Sequence, residues 1–205
     1  MNRFTVLIVT LFAVACMAST PLLAEGYVGL SYGESSADMN QSDIDDGSLS
    51  DFTSDDTDNA WKVFGGWHMK WVGVEAAWQD LGKFAIGAES DGSGSGPPPN
   101  YDPGPVSRTL EARGLSAELL GRIPLGKFFA IFGKVGALWW DSETLTTGGI
   151  VSVNQDQTGL DLMYGAGVDI IIKKISLRLE YERFDKVSSA DTSIDFASVG
   201  VMFNF

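Results

Sequence analysis

The sequence predicts an all-β fold, an eight-stranded antiparallel up-and-down transmembrane β-barrel. The first observation is a strict alternation of apolar and polar residues, clearest in the hairpin 158–187, whose turn is predicted at Lys173-Lys174. The second is that the connections between such segments are alternately short and long. The third is an amino-terminal stretch with the features of a secretory signal. Together these features favour strands that face lipid on one side and a polar lumen on the other.

Eight segments show the alternation and are predicted to be strands. The apolar face of each is almost unbroken, whereas the other face carries Gly, Ser and charged residues. The segments are residues 27–33, 60–68, 71–80, 109–123, 129–139, 158–172, 175–187 and 194–205.

The connections predict the topology. Short turns at 68–70, 124–127 and 173–174 alternate with longer links at 34–59, 81–108, 141–157 and 187–193. Short turns on one rim and longer loops on the other are typical of outer-membrane barrels, with the short turns in the periplasm. A soluble lipocalin-like barrel is the alternative, and it would turn its apolar faces inward.

Residues 1–24 are predicted to be a removable signal peptide, which leaves residues 25–205 as one β-barrel domain. One Arg precedes an apolar run at 4–15, and small residues surround a cleavage position after Ala24. The run is shorter than the roughly 20 residues that span a bilayer, which disfavours the alternative of a membrane anchor. The only cysteine, Cys16, lies in this leader, so lipidation there stays open and the mature chain is predicted to have no disulfide.

The composition narrows the classes of partner. A formal net charge of −13 argues against binding nucleic acid. No segment after the leader is long and apolar enough for a membrane helix, so membrane insertion would require a closed barrel.

Five aromatic residues on the outward faces are predicted to form two girdles at the membrane interfaces. Phe129 and Trp139 lie ten positions apart on one face. At about 3.3 Å per residue and a tilt near 40°, that distance projects to roughly 25 Å, the height of an apolar band. The predicted girdle residues are Trp61, Trp67, Trp78, Phe129 and Trp139.

The chain resembles the OmpA/OmpX-type small outer-membrane β-barrels. The resemblance rests on the segments GYVGLSYG, FFAIFGKVGALWW, LMYGAGVDI, SLRLEYERF and ASVGVMFNF, and it covers nearly all of the mature chain. It implies a location in the outer membrane of a Gram-negative bacterium, surrounded by lipid and lipopolysaccharide. It also implies that Phe205, Phe203 and Val201 are similar to the terminal signal that the barrel-assembly machinery reads.

The polar faces predict a charged interior. An eight-stranded barrel is only wide enough for side chains to fill, so these charges are expected to pair across the lumen and hold the barrel closed. A narrow, porin-like ion path is the alternative. The predicted luminal ionic core is Lys62, Glu75, Glu118, Lys134, Asp161, Asp169, Arg178, Glu180 and Glu182.

Catalysis is not predicted. Small barrels that hydrolyse or transfer lipid acyl chains use a His with a Ser and a carboxylate. The single histidine, His68, falls at a predicted short turn without an evident Ser partner. A lipid-modifying enzyme is therefore the least favoured hypothesis.

The predicted loops suggest a surface role. Residues 34–59 contain eight aspartates without a Lys or Arg, which is typical of a solvated loop. Asp43, Asp45 and Asp46 are weak candidates for Ca²⁺ or Mg²⁺, since the spacing of a calcium loop is missing; no other cofactor is predicted. The Pro/Gly/Ser-rich run that includes 94–105 is expected to be a surface element. The sequence thus predicts a monomeric, non-enzymatic surface protein with an unidentified extracellular partner.

Overall fold

The computed structural model describes residues 25–39, 41, 44–94, 101–148, 151–187 and 192–205. The predicted signal peptide lies outside these residues. The described residues form nine strands: β1 (Glu25–Ala37), β2 (Leu49–Asp55), β3 (Thr57–His68), β4 (Val72–Ser90), β5 (Gly104–Leu125), β6 (Phe129–Gly148), β7 (Val151–Ile172), β8 (Ile175–Phe184) and β9 (Ile194–Asn204). In the part of the chain described, no helix is long and apolar enough to cross a membrane.

Eight of the strands form a closed ring. Their order is β4-β3-β1-β9-β8-β7-β6-β5, and antiparallel pairing between β4 and β5 closes the circle. The strand β2 pairs only with the far end of β4, beyond the point where β3 leaves it. The ring leaves no open sheet edge at the level of the eight strands, and the predicted fold class is confirmed.

Three connections at one end of the ring are short. They comprise 69–71, 126–128 and the two residues Lys173-Lys174, the first of which has a φ of 59°. We call this end of the barrel the short-turn end and the opposite end the loop end.

Strand length differs across the ring, because four of the strands continue into segments that were predicted to be loops. The strands β4 to β7 have 19 to 22 residues, whereas β1, β3, β8 and β9 have 10 to 13. The extra length lies at the loop end and, with β2, forms a five-stranded sheet. This protruding sheet consists of β2 and residues 83–90, 104–112, 141–148 and 151–158.

Much of 34–59, 81–108 and 141–157 is therefore strand rather than loop. The alternation simply continues through these segments: Phe84, Ile86 and Ala88 are buried while the residues between them are not. Their many Gly, Ser, Thr and acidic residues obscure the pattern, because such residues also predict loops.

The outward face of the ring is apolar. Leu119, Val135 and Val199 are 64%, 49% and 57% exposed, while their neighbours Glu118, Lys134 and Ser198 are buried. This is the reverse of a soluble barrel, so the lipocalin-like alternative is excluded.

Candidate functional site

The interior contains two layers of opposite chemistry, one above the other. The layer nearer the short-turn end is charged, and its members lie three to seven residues from the short-turn end of their strands. We call it the ionic layer; it consists of Lys62, Glu75, Glu118, Lys134, Asp169, Arg178, Glu180 and Glu182, all of them buried.

Lys134 is the centre of the ionic layer. Its Nζ lies 2.6 Å from Glu182, 2.8 Å from Glu118 and from Glu180, and 3.3 Å from Glu75. An ammonium has three hydrogens, so the four carboxylates cannot all be hydrogen-bonded to it at once. The attraction is therefore mainly that of a single buried cation for several carboxylates.

A second cation bonds two of the same carboxylates. Lys62 Nζ donates to Glu180 Oε2 at 2.5 Å and to Glu182 Oε2 at 2.6 Å. Because Glu180 and Glu182 use their other oxygens for Lys134, the two lysines from β3 and β6 are joined through β8. These ion pairs connect distant parts of the ring.

Arg178 connects the remaining acids. Its Nε donates to Asp169 Oδ1 at 2.9 Å and its Nη1 to Glu75 Oε2 at 2.6 Å. The guanidinium lies 4.3 Å from the ring centroid of Phe132, a cation–π distance. The Tyr27 hydroxyl donates to the same Glu75 oxygen at 2.8 Å.

The sequence reasoning missed two members of this network. Tyr27 is buried against Glu75, and Arg122 Nε lies 3.8 Å from Asp169 Oδ2. Both occupy inward positions of the alternation, which is the signal that could have identified them. With Arg122 included, five carboxylates face four cations in the ionic layer.

Asp161, predicted in the ionic core, lies apart from the other eight. It is half-buried near the loop end of the interior, eleven residues from the end of β7. Its Oδ2 accepts a hydrogen bond from Trp140 Nε1 at 2.7 Å. Asp161 lies too far along β7 from the short-turn end to reach the ionic layer. Alternation predicts that its side chain points inward but not how far along the barrel it lies.

The second layer is apolar and fills the interior toward the loop end. Its buried members lie eight or more residues from the short-turn end of their strands. This apolar layer was not predicted, because a polar lumen was expected throughout. It comprises Ala37, Ala60, Leu81, Phe84, Leu110, Ala112, Leu138, Trp140, Met163, Phe184, Val187, Ile194 and Phe196.

The predicted girdle residues all lie on the outward face. Trp61, Trp78, Phe129 and Trp139 are 37–50% exposed, Trp67 is half-buried, and the rings of Trp61 and Trp78 are 4.8 Å apart.

The residues of the predicted assembly signal lie on the outward face of the carboxyl-terminal strand. Val201, Phe203 and Phe205 are each about half exposed. The backbone of Phe205 also exchanges two hydrogen bonds with Gly26, at 2.9 and 3.2 Å. Phe205 thus extends the pairing of β1 with β9 beyond Asn204.

The three candidate metal ligands of the acidic first loop differ in their surroundings. Asp43 lies outside the described residues, and Asp45 accepts a hydrogen bond from the Gly47 amide. Asp46 is buried and accepts from the Ser48 amide and hydroxyl, at 2.9 and 2.6 Å, and from the Tyr101 amide at 3.2 Å. Burial raises the pKa of Asp46, but these bonds outweigh it and hold the pKa below its usual value.

Asp46 therefore joins the first loop to the segment before β5. Among the residues that the structure describes, no group of three or more His, Cys, Asp or Glu side chains is arranged to hold a metal ion.

The single histidine lies at the short-turn end. Its ring is 5.6 Å from that of Tyr27, and within the described part of the chain no serine hydroxyl hydrogen-bonds to it.

Solved structures resemble the whole barrel. The chain covers 100% of Ail, the attachment invasion locus protein of Yersinia pestis, with 90% of its own length, 12% identity and a TM-score of 0.54. It covers 97% of the N-terminal β-barrel domain of Pseudomonas aeruginosa OprF with 88% of its own length, 9% identity and a TM-score of 0.50. At such identities the likeness concerns the fold alone. No curated protein sequence matches the chain.

Sequence comparison assigns the family. Residues 4–205 match the outer membrane protein beta-barrel domain. With the apolar outward face and the closed ring, this confirms the predicted resemblance and location. The chain belongs to the outer membrane protein beta-barrel domain family and is an integral β-barrel of the Gram-negative outer membrane.

Proposed function

We propose that this protein is a closed, non-enzymatic barrel that presents a β-sheet on the cell surface for interaction with extracellular molecules. The observation that carries the proposal is the protruding sheet. Its strands continue about ten residues beyond the shorter half of the ring, on the side that outer-membrane barrels turn outward. A barrel that served only to fill the membrane would not require this extension.

The outer flank of the protruding sheet offers a surface suited to recognition. A concave region of about 600 Å³ is lined by Trp61 and by charged side chains of β3 to β7. Two ion pairs lie in it, Lys83–Glu111 at 2.9 Å and Arg113–Asp141 at 3.3 Å. Acids outnumber bases there, as they do in the first loop, so the surface is suited to partners that are not strongly anionic.

The narrow-channel alternative is less well supported. An ion crossing the barrel would pass from the ionic layer into the apolar layer, where Leu138, Phe184 and Phe196 are fully buried. Moving an ion into such a region without compensating ligands is costly. The apolar layer therefore supports a lumen that does not conduct.

The lipid-modifying alternative has less support still. His68 lies at the short-turn end beside Tyr27, with Glu25 opposite it on β1, but in the described structure no serine hydroxyl hydrogen-bonds to it, as a hydrolytic triad would require. Extraction of lipid after incubation with the purified protein, followed by mass spectrometry, should give no altered acyl chains. Deacylated or newly acylated lipid would contradict the non-enzymatic proposal.

Presentation on the cell surface can be tested with single cysteines. The only native cysteine is Cys16, in the predicted leader, so labelling of an introduced thiol is unambiguous once the leader is removed. We expect Gln155→Cys, in the protruding sheet, to react with a membrane-impermeant maleimide on intact cells. Lys127→Cys, in a short turn, should react only after the outer membrane is permeabilised. The opposite pattern would overturn the proposal.

A further inference from the structure

The short turns carry an unexpected concentration of positive charge. Half of the eight lysines in the chain lie in these three turns, as Lys70, Lys127, Lys173 and Lys174. All four are exposed, although the chain as a whole has a net charge of −13. We call these four residues the basic rim.

Most acidic side chains near the basic rim point into the barrel rather than toward the lysines. Glu75 and Asp169, three residues from the short-turn ends of their strands, are buried and paired with Arg178 inside the barrel. Among the described residues near this end, Glu25 has the only exposed carboxylate side chain. The side chains around the rim therefore leave most of its positive charge without a partner.

Aromatic side chains place the rim at the edge of the membrane. Trp71 and Phe128 lie in the same turns and are 54% and 65% exposed. Lys70 Nζ lies 5.2 Å from the Trp71 ring and Lys174 Nζ 6.0 Å from that of Phe203. Aromatic residues of this kind occupy the interface of a transmembrane barrel, and a lysine stem can lie along them while its ammonium reaches the headgroups.

We propose that the basic rim binds anionic phospholipid headgroups of the periplasmic leaflet. Four ammonium groups around one end of a narrow barrel face lipids on several sides. They would therefore enrich acidic lipids among those that contact the barrel directly. A lysine near an anionic membrane surface contributes about fivefold in affinity, so two lysines together contribute roughly 25-fold. The inference is independent of the surface role proposed above, but it does require the short turns to face the periplasm.

An acidic periplasmic protein is the other occupant that charge alone would allow. The exposed apolar and aromatic residues directly beside the lysines favour lipid, because a membrane already surrounds them. A protein partner would leave lipid composition without effect, and the experiment separates the two.

The test measures the lipids that remain bound to the protein. Purified, folded protein is equilibrated in detergent with equal amounts of phosphatidylglycerol and phosphatidylcholine of the same acyl chains, and bound lipid is counted by native mass spectrometry. We expect the wild type to retain more phosphatidylglycerol. The double variant Lys173→Gln/Lys174→Gln should lose most of this preference, by up to roughly 25-fold.

A matched control removes the same charge elsewhere. Lys83→Gln/Arg113→Gln, on the outer flank of the protruding sheet, should keep the wild-type preference. Lys70→Gln/Lys127→Gln provides a second rim variant in case the Lys173 turn, with its positive φ, does not tolerate change. Equal retention of the two lipids by the wild type, or equal losses in the rim and control variants, would overturn the inference. Labelling of Lys127→Cys on intact cells would overturn the choice of leaflet separately.

Discussion

The ionic layer and the apolar layer fill the same narrow tube and have opposite chemistry: the residues of the first come from β3 to β8, and those of the second come from all eight strands of the ring. In the ionic layer Lys134 is surrounded by four carboxylates, whereas a few residues further along the strands Leu138, Phe184 and Phe196 pack with 0% exposure. Alternation decides which side of the wall a residue occupies, but it does not decide what chemistry the interior has. That depends on height along the barrel.

The two layers also stabilise the barrel differently. Each charge in the ionic layer depends on its partners, because a buried charge left alone carries its full desolvation penalty. Each side chain in the apolar layer contributes through its volume and buried area. Substitutions in the two layers test this difference, and others test the barrel wall and the first loop; they follow in order of decreasing expected effect.

Replacing the central cation should have the largest effect. Lys134→Met keeps a similar shape but leaves four carboxylates without their shared partner. We expect the free energy of unfolding, measured by urea titration in lipid vesicles, to fall by about 3–5 kcal/mol.

The matched control is Lys83→Met, whose ion pair with Glu111 is more than half exposed. Its loss should change the free energy of unfolding by at most about 1 kcal/mol. Equal effects for Lys134→Met and Lys83→Met would show that the ionic layer does not stabilise the barrel.

Truncation in the apolar layer should have a similar or slightly smaller effect. Leu138 is fully buried, and Leu138→Ala leaves a cavity among the neighbouring side chains. We expect a loss of about 2–5 kcal/mol in the free energy of unfolding. A loss below about 1 kcal/mol would indicate that the layer is loosely packed and can collapse around the smaller residue.

A charge on the outward face tests the wall between lumen and lipid. Val135 follows Lys134 directly but points outward and is 49% exposed. Val135→Arg should reduce the free energy of unfolding in vesicles by roughly 2–4 kcal/mol if the residue lies near the membrane midplane. Val135→Leu serves as the control, and a neutral Val135→Arg would mean that the inward and outward faces of β6 are reversed.

Asp46 provides a local comparison outside the barrel wall, because it is a buried carboxylate held by hydrogen bonds without a cation. Its pKa is lowered in the folded loop, so its stabilising effect is present above the usual value of 3.8 and is lost as the pH falls through the folded value. An NMR titration of the Ser48 amide should give a midpoint below 3.8. A midpoint at or above 3.8, or no change from that of Asp46→Asn, would contradict the bonding described.

Much of the barrel was predictable because strand alternation is a local property. The period of two places Lys62, Glu75 and Arg178 inside without knowledge of their partners, and it places Trp139 outside. The same rule would have placed Phe84 and Phe184 inside, had the lumen not been expected to be polar.

The pairings themselves could not be predicted. Lys62 meets Glu180 across 118 residues of sequence, and this contact depends on the tilt and register of strands that are not adjacent. Asp161 illustrates the same point: it has the inward position of an ionic-layer residue but the height of the apolar layer, where it bonds Trp140.

We expect the apolar layer, rather than the ionic layer, to close the lumen to ions. The most direct test is ion conductance in planar bilayers of the folded wild type and of Lys134→Met, with folding verified by the mobility of unboiled protein in gels. We predict that neither conducts, because the apolar layer is intact in both. Discrete conductance steps from the wild type would contradict the closed lumen, and steps from Lys134→Met alone would assign the seal to the ionic layer.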